Sequence, residues 1–427
     1  MKINFRDIFY ASPAFAFAIP TFPVMIFLPA LYTESLGMAV AKVGLFLFIA
    51  KLIDILTDPF IGWLNDKRIL SRKVLIVIGS IISAISLCKL FLISKIPYEE
   101  YLLIWIGLLY FGWTMFQIPY LSIGYNIENS YFYRTKLSAT REFFILMGLF
   151  SSLCIPMFFS INNIVLAKYL VKMALVSGFI GIFFLCFFIK DDNNVKKSIS
   201  IKYSLKNILS HLRLKRFLLI WFINSCANVF PMILFAFYIT YVLDGNDFDR
   251  QRILFFYFLF AMIGVPFWTQ LSKKTNKAKA WSVSLISSVI FFIFTIFLNP
   301  GDLFFFTIIS CLTGFCLGAD LVIPPSIQAD MTDMHEQKYK EEISGVLFSL
   351  ITAITKLSFA IGSFFVFGFL GLLGFDANLP TSRDIEYFII FSYAVIPIIL
   401  KIISFIKLIN FKSSHEELIN IQKKINR

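Results

Sequence analysis

The sequence carries little charge. Asp, Glu, Lys and Arg make up 15% of the 427 residues, whereas soluble domains average about a quarter. In place of charge, 58% of the residues are hydrophobic and the mean hydropathy is +0.80. This composition excludes an ordinary soluble domain and predicts an all-α protein that crosses a membrane many times.

Several catalytic and metal-binding patterns are missing as well. The chain has no GxxxxGK[ST] phosphate loop, which argues against ATP-driven transport, and no HExxH or GxSxG pattern for hydrolysis. The six cysteines lie in apolar runs without a CxxC pair, so we expect core residues and no disulfide or metal framework. The three histidines, including His335, fall in polar connections and are not expected as ligands. We therefore expect neither an enzyme nor a cofactor.

Twelve apolar segments are long enough to span a bilayer, which takes about 20 residues. They cover residues 8–32, 40–64, 74–94, 102–125, 138–160, 171–189, 217–243, 253–271, 280–298, 303–324, 344–373 and 385–405. Prolines inside the segments, such as Pro13, Pro20 and Pro119, are expected to be tolerated as kinks in a bundle.

Basic residues cluster in a long central connection and in the loops that follow even-numbered segments. By the positive-inside rule, both termini and this connection are cytoplasmic, in a bacterial inner membrane. The basic loops on the cytoplasmic side then explain the net charge of +13, so we expect no nucleic acid partner. The predicted organisation is a six-helix bundle (1–190), a linker (191–216), a second six-helix bundle (217–406) and a tail (407–427). Two such bundles indicate a transporter with its site between the halves.

Charged residues lie inside the second segment. Lys51, Asp54 and Asp58 are spaced so that one helix face carries all three. Because an ionised side chain in hydrocarbon needs a partner, a bundle interior or water, this face predicts an ion site or a polar pathway. The alternative is a buried salt bridge that only fixes helix packing. Asp66 and Arg68 lie where the segment leaves the membrane, so we expect them at a helix end, as gate candidates.

Oxygen ligands for a cation are available in two segments. Asp54, Thr57 and Asp58 of the second segment and Thr114 of the fourth would form such a set if these helices face each other. Thr114 and Gln117 are one turn apart, and helix–helix hydrogen bonding is the alternative for such residues.

Further polar residues lie in the second half. Asn224 and Asn228 share a face of the seventh segment, with the same alternative. Asp320 in the tenth segment suggests a cavity wall or a gate. Lys356 lies near the middle of the eleventh segment, too far from its ends to snorkel, and we expect Asp54 or Asp58 as its partner.

The pattern Asp54-x-x-x-Asp58-Pro59-x-x-Gly62-x-x-x-Asp66 resembles the second-helix signature of the glycoside–pentoside–hexuronide:cation symporters, the melibiose-permease-like branch of the major facilitator superfamily. The resemblance continues in order through both halves, at residues 118–120, 133–141, 264–268, 324–330 and 355–356.

The resemblance implies a major facilitator fold and a Na⁺, Li⁺ or H⁺ site at Asp54, Thr57, Asp58 and Thr114. It also implies a coupling lysine at Lys356 and a substrate-facing arginine at Arg141.

Three positions depart from the family pattern. Ala16 and Gln117 stand where melibiose-type transporters have carboxylates, and the usual Arg-Glu-Gly pattern reads Glu341-Glu342-Ile-Ser-Gly345. The cation site is thus kept without the acids that bind the galactoside, which argues against a melibiose-like substrate but not against symport.

The sequence therefore predicts a secondary transporter that couples Na⁺ or H⁺ to symport of a glycoside or another small polar solute by alternating access. Lys51 joins Lys356 as a coupling residue, and the predicted substrate residues are Arg141, Gln117, Asn224, Asn228 and Asp320. We expect a monomer whose partners are the solute and membrane lipid. No cofactor is expected besides the coupling ion, and no metal besides a Na⁺ at Asp54 and Asp58.

Two alternatives remain open at this stage. One is a carrier of an amphiphile such as a lysophospholipid, which the family's eukaryotic relatives move and which would suit the apolar first segment. The other is a receptor or assembly factor without transport, although a static scaffold has little reason to keep Lys356 and paired aspartates in the membrane.

Overall fold

The structure is a computed structural model that describes residues 4–21, 24, 28–32, 36–93, 98–127, 131–158, 163–190, 201–340, 343–375, 382–411 and 415–424. Residues 191–200 of the predicted linker, Glu341 and Glu342 lie outside the described residues. All regular secondary structure within these ranges is helical.

Sixteen α-helices follow one another along the described chain. They are α1 Phe5–Ala18, α2 Leu28–Ala30, α3 Val40–Lys67, α4 Arg72–Phe91, α5 Tyr101–Ile127, α6 Tyr131–Phe158, α7 Asn163–Phe188, α8 Ile201–Ser210, α9 Leu212–Tyr241, α10 Asp247–Lys274, α11 Lys277–Phe292, α12 Leu303–Tyr339, α13 Ser344–Leu372, α14 Arg383–Ile390, α15 Ile396–Ile409 and α16 His415–Lys424. A 3₁₀ helix, Ile293–Phe297, continues α11, and a π-helical turn, Phe391–Val395, joins α14 to α15.

Each of the twelve predicted segments corresponds to helix in the described residues. Nine spans there are long and apolar enough to cross a membrane by length and composition: α4, α5, α7, α9, α10, α11 with its 3₁₀ end, α12, α13, and α14 with α15. The other three segments correspond to α1 with α2, to α3 and to α6. Charged side chains interrupt the apolar runs of α3 and α6, and these are the charges that build the sites described below. The prediction of an all-α membrane protein is confirmed.

One predicted helix end is wrong. The tenth segment was expected to stop at Pro324, but α12 continues through Pro324 and Pro325 to Tyr339. The added part is polar yet buried, and hydropathy marks only the apolar part of a helix. His335 belongs to this part: it is buried, with its ring centroid 4.6 Å from that of Tyr339, and does not lie in a polar connection. Pro20 lies in a turn directly after α1, which ends at Ala18.

The chain forms two compact units. The first comprises Met1–Ile208, Gln328–Ala353 and Leu418–Arg427, and the second comprises Leu209–Ile327 and Ile354–Glu417. The first unit thus includes the last residues of α12 and the start of α13. The predicted domain bounds at residues 190, 216 and 406 stay predictions.

Close helix packing organises the first unit. Helices α4 and α5 touch through Gly79 and Gly112: a Cβ on Gly112 would lie 2.5 Å from Ser83 Oγ and 2.8 Å from the Gly79 carbonyl oxygen. A buried apolar cluster follows the same helices and includes Leu90 of α4 and Leu102 of α5. Glycine at these two positions lets the backbones approach closely enough to position the polar residues of α5.

Stacked aromatic rings hold the second unit together. Tyr238 of α9 stacks on Tyr393 with ring centroids 4.2 Å apart, and Phe306 of α12 packs against both rings. In both units large apolar side chains also lie exposed, among them Phe179 and Phe364. In a soluble protein such exposure would mark a binding surface. Here lipid is the solvent of these faces.

We predict that Gly112→Ala destabilises the protein, because the added methyl group overlaps Ser83 and the Gly79 backbone. Overpacking of this kind costs about 1–3 kcal/mol. The matched control is Gly107→Ala on the same helix, where a Cβ meets nothing within 4 Å. Thermal unfolding in detergent should show a lower midpoint for Gly112→Ala and an unchanged or higher midpoint for Gly107→Ala. Equal midpoints for the two variants would contradict the close contact.

Candidate functional site

Two carboxylates and a hydroxyl meet between α3 and α5. Asp54 and Asp58 lie one turn apart on α3, Thr114 lies on α5, and all three are buried. Thr114 Oγ1 is 3.1 Å from Asp54 Oδ1 and 2.8 Å from Asp58 Oδ1. The structure thus brings together three of the four residues that the sequence suggested as cation ligands.

The Thr114 hydroxyl is shared between the two acids. A threonine hydroxyl has one hydrogen, so it can donate to only one carboxylate at a time. The other carboxylate oxygen then faces a lone pair of the same hydroxyl. A further positive charge or a proton among these oxygens stabilises such an arrangement. The geometry can therefore bind a monovalent cation through oxygen or take up a proton.

Lys51 belongs to the same cluster, but the Thr57 hydroxyl does not reach the carboxylates. Lys51 Nζ lies 3.0 Å from Asp54 Oδ2 and 4.5 Å from the centre of the Tyr110 ring, so a carboxylate and an aromatic face hold the ammonium. Thr57 Oγ1 instead donates to the backbone carbonyl oxygen of Asp54 at 3.0 Å.

Asp66 lies at a helix end, as the sequence suggested, and it binds the start of another helix. Its Oδ1 accepts from the Gly345 N–H at 2.6 Å and its Oδ2 from the Val346 N–H at 2.8 Å. These amides belong to the first turn of α13, where unpaired N–H groups attract negative charge. The contact requires close approach, since a Cβ on Gly62 would lie 2.6 Å from the Gly345 carbonyl oxygen. Arg68 ends α3 in a left-handed conformation with φ 53°.

A buried ion pair in the first unit was missed by the sequence reasoning. Arg134 Nη1 of α6 lies 2.6 Å from Asp333 Oδ2 and 3.6 Å from Asp330 Oδ1 of α12. The Tyr125 hydroxyl donates to Asp333 Oδ1 at 2.6 Å. Asp333 could not be found from hydropathy because it lies beyond the predicted end of its segment. Asp330, at the end of a family motif, was the available signal.

Arg141 is buried beside a carboxylate that the sequence reasoning did not single out. Its guanidinium pairs with Glu142, and Nε lies 3.2 Å from Glu142 Oε1. Tyr10 and Tyr120 lie nearby, with stacked rings whose centroids are 4.8 Å apart. The role of Arg141 in binding substrate stays a prediction.

Two of the three positions that depart from the family pattern lie within the described residues, and their surroundings differ. Ala16 is buried in the wall of a cavity that α1 shares with α4, α5 and α7. Gln117 is half-buried on α5, one turn after Thr114. A substrate contact by Gln117 stays a prediction.

Asp320 is the centre of a polar cluster in the second unit. Its Oδ1 accepts from Trp281 Nε1 at 2.6 Å, and its Oδ2 accepts from Asn228 Nδ2 at 3.1 Å and from Lys401 Nζ at 3.3 Å. Lys401 also donates to Asn224 Oδ1 at 3.4 Å. The structure therefore joins Asn224, Asn228 and Asp320, the second-half residues that the sequence suggested as substrate ligands. Sequence reasoning missed Lys401, although a lysine inside the twelfth apolar segment was a visible signal.

Lys356 lies half-buried on α13, in the second unit. The neighbouring Thr355 accepts a hydrogen bond from Trp221 Nε1 at 3.0 Å. The expected pairing of Lys356 with Asp54 or Asp58 stays a prediction.

Asp7 fixes the start of α1 just before the predicted membrane segment. Burial alone would raise its pKa, but the Lys136 ammonium, 2.8 Å from Asp7 Oδ2, and the Tyr133 hydroxyl hold the pKa of this carboxyl below its ordinary value. The ion pair ties α1 to α6 and so fixes the helix that carries Tyr10 and Ala16.

Within the described residues, no three His, Cys, Asp or Glu side chains are grouped as a metal site. The six cysteines are all free. The carboxylate and hydroxyl oxygens at Thr114 therefore remain the cation-binding candidate.

Comparisons with known proteins identify the family of the chain. The profile of the family described as MFS/sugar transport protein matches residues 9–414. Two proteins of Bacillus subtilis (strain 168) are similar along most of their length. The uncharacterized symporter YnaJ is 22% identical over 96% of this chain and 91% of its own, and the uncharacterized symporter YjmB is 24% identical over 83% and 80%.

Solved structures share the fold at low sequence identity. The fucose:proton symporter FucP of E. coli aligns with a TM-score of 0.69 and 12% identity over 96% of this chain and 98% of that one. A bacterial homologue of the iron transporter ferroportin aligns with a TM-score of 0.69 and 13% identity over 95% and 98%. The family match confirms the resemblance read from the sequence motifs. The chain belongs to the MFS/sugar transport protein family and is a multi-pass membrane transporter with the major facilitator fold, not an enzyme.

Proposed function

We propose that the protein is a symporter that couples Na⁺ or H⁺ to the uptake of a sugar, a glycoside or another small polar solute by alternating access. The observation that carries this proposal is the Thr114 hydroxyl shared by Asp54 and Asp58 at 3.1 and 2.8 Å. One hydrogen between two buried carboxylates favours the entry of a cation or a proton. Symporters among the relatives support the same class of function.

Coupling follows from the competition for these carboxylates. Lys51 neutralises part of the charge on Asp54. The remaining repulsion between the two acids can be relieved by the coupling ion or by Lys356, the partner expected from the sequence. Exchange of the coupling ion against Lys356 is the coupling step that we assign to these residues. Such an exchange links the cation to the solute through differential binding.

The polar cluster around Asp320 is the candidate solute site. Its carboxylate, two amides and an indole N–H offer both acceptors and donors, which suit the hydroxyl groups of a sugar. Arg141 and Gln117 are the corresponding candidates in the first unit.

We assign the gate to Asp66, whose two hydrogen bonds to the start of α13 can be broken and remade. Arg68, directly after α3, is its companion candidate. We place the protein in a bacterial inner membrane with both termini in the cytoplasm.

The cation site can be tested without knowing the solute. We expect Na⁺, Li⁺ or a proton to raise the apparent unfolding temperature of the detergent-solubilised protein, because a ligand at 100 times its Kd stabilises the folded state by about 2.7 kcal/mol. Thr114→Val removes the shared hydroxyl and should weaken this response at least about tenfold in ion concentration, since hydrogen bonds to charged groups contribute about 1.5–3 kcal/mol. Thr114→Ser is the matched control and should keep the response. If the unfolding temperature of the parent protein does not change with Na⁺, Li⁺ or pH, the proposed cation site is excluded.

Coupling itself is tested by Asp54→Asn and Asp58→Asn. Each change removes a negative charge while keeping the shape, so downhill exchange of solute can survive while ion-driven accumulation is lost. The measurement is uptake of radiolabelled solute into proteoliposomes under an imposed Na⁺ or H⁺ gradient, after a screen of glycosides, pentosides and hexuronides. If either variant concentrates solute as well as the parent, that aspartate does not couple.

One further variant should change solute binding without changing cation binding. Asn228→Ala removes a donor to Asp320 Oδ2 and should raise the KM for solute by about twofold to tenfold, which corresponds to one hydrogen bond of about 0.5–1.5 kcal/mol. The thermal response to the coupling ion should stay that of the parent. Unchanged solute kinetics would remove the Asp320 cluster from the solute site.

A further inference from the structure

A cavity of about 530 Å³ lies in the first unit, among α1, α4, α5 and α7. Its volume is in the range of small-molecule sites, about 300–1,000 Å³. It is separate from the carboxylate cluster at Thr114, none of whose three residues line it.

Small side chains at facing positions create this space. Ala16 of α1 faces Gly178 of α7, and a Cβ built on Gly178 would meet the Ala16 Cβ at 3.7 Å and nothing closer. Ala84 of α4 and Ala174 of α7 also line the cavity. A larger side chain at any of these positions would occupy part of the volume.

The cavity wall is apolar in its chemistry. The two serines in the wall turn their hydroxyls back to their own helix, Ser80 to the Ile76 carbonyl oxygen at 2.7 Å and Ser83 to the Gly79 carbonyl oxygen at 2.8 Å. Water in a cavity needs two to four polar partners, and apolar cavities stay dry. The occupant that suits this wall is therefore a hydrocarbon chain.

The cavity opens on the face of the unit that carries exposed apolar residues. Among its lining residues, Phe179 is 77% exposed, Ile81 is 53% exposed and Phe183 is 52% exposed. Phe116 and Leu87, also in the wall, are buried. The space therefore runs inward from a surface that contacts lipid, so a chain from the bilayer can enter without crossing water.

A cation lies at one end of the cavity. Lys73 is in the first turn of α4, one turn before the lining residue Val77, and its Nζ donates to the carbonyl oxygen of the lining residue Cys186 at 2.7 Å. An ammonium has three N–H donors, and Cys186 takes one. Basic groups at the cytoplasmic side of membrane helices bind anionic lipid headgroups. In the orientation predicted from the basic loops, Lys73 is on that side.

We propose that this cavity binds one acyl chain of a membrane phospholipid, with the lipid phosphate held by Lys73. The apolar wall, the opening toward lipid and the charge at one end each match one part of an anionic phospholipid. Lipid bound there would fill the space between α1 and α7.

Trp113 lines the cavity and provides a direct probe. The full-length protein is reconstituted into vesicles in which phosphatidylcholine or phosphatidylglycerol carries brominated acyl chains, which quench tryptophan fluorescence on contact. The Trp113 contribution is the difference between the parent and Trp113→Phe. We expect this contribution to be quenched at lower mole fractions of brominated phosphatidylglycerol than of brominated phosphatidylcholine, by about fivefold for one lysine near the surface.

Two pairs of variants test the chain site and the headgroup site separately. Gly178→Leu fills the cavity and should reduce quenching of Trp113, whereas Gly107→Leu, where a Cβ meets nothing within 4 Å, should not. Ala84→Leu fills the same space from α4, in case the α7 variant does not fold. Lys73→Gln should abolish the preference for phosphatidylglycerol, whereas Lys89→Gln, in the last turn of the same helix, should keep it.

Quenching of Trp113 that is the same in both filled variants as in the parent would overturn the acyl-chain site. A lipid preference that survives Lys73→Gln would overturn the assignment of the phosphate. Because the readout is fluorescence and not uptake, either result leaves the proposed symport untouched.

Discussion

Burying two carboxylates inside a membrane protein constrains the helices that carry and surround them. Asp54 and Asp58 lie on a helix that must cross hydrocarbon, where an uncompensated charge is costly. Thr114 on α5 and Lys51 one turn earlier on α3 supply part of this compensation. Helix α5 can supply Thr114 only if it packs against α3, and its position in turn depends on the close contact of α5 with α4. In the first unit, the stabilisation of the buried carboxylates therefore depends on how α3, α4 and α5 pack.

The same requirement is met at the other buried charges in different ways. Asp66 accepts hydrogen bonds from the backbone amides at the start of α13. Arg134 and Asp333 form an ion pair that a tyrosine hydroxyl completes. A buried pair of this kind contributes little net stability, but losing one partner costs about 3–5 kcal/mol. Such pairs are therefore suited to fixing which helices meet and poorly suited to strengthening the fold.

Sequence patterns predicted the spans and one face of the site, because both depend on local spacing. Hydropathy located the helices, and the i, i+3, i+7 spacing placed Lys51, Asp54 and Asp58 together. The identity of distant partners could not be read in this way. Asp333 lies in a polar extension of α12 that hydropathy does not mark, and Lys401 meets Asp320 only because α15 packs beside α9 and α12. Spacing along one helix says nothing about which helix is its neighbour.

The Asp54–Asp58 cluster and the Asp320 cluster differ in the groups that hydrogen-bond to their carboxylates, and this difference supports the proposal that they bind different ligands. Asp54 and Asp58 share the hydroxyl hydrogen of Thr114, and Asp54 also accepts a hydrogen bond from Lys51. Asp320 instead receives directed N–H donors from Trp281, Asn228 and Lys401. Directed donors discriminate among ligands by geometry, whereas a shared hydrogen selects mainly for positive charge and size. These differences support the proposal that the first arrangement binds the coupling ion and the second binds a solute with several hydroxyl groups.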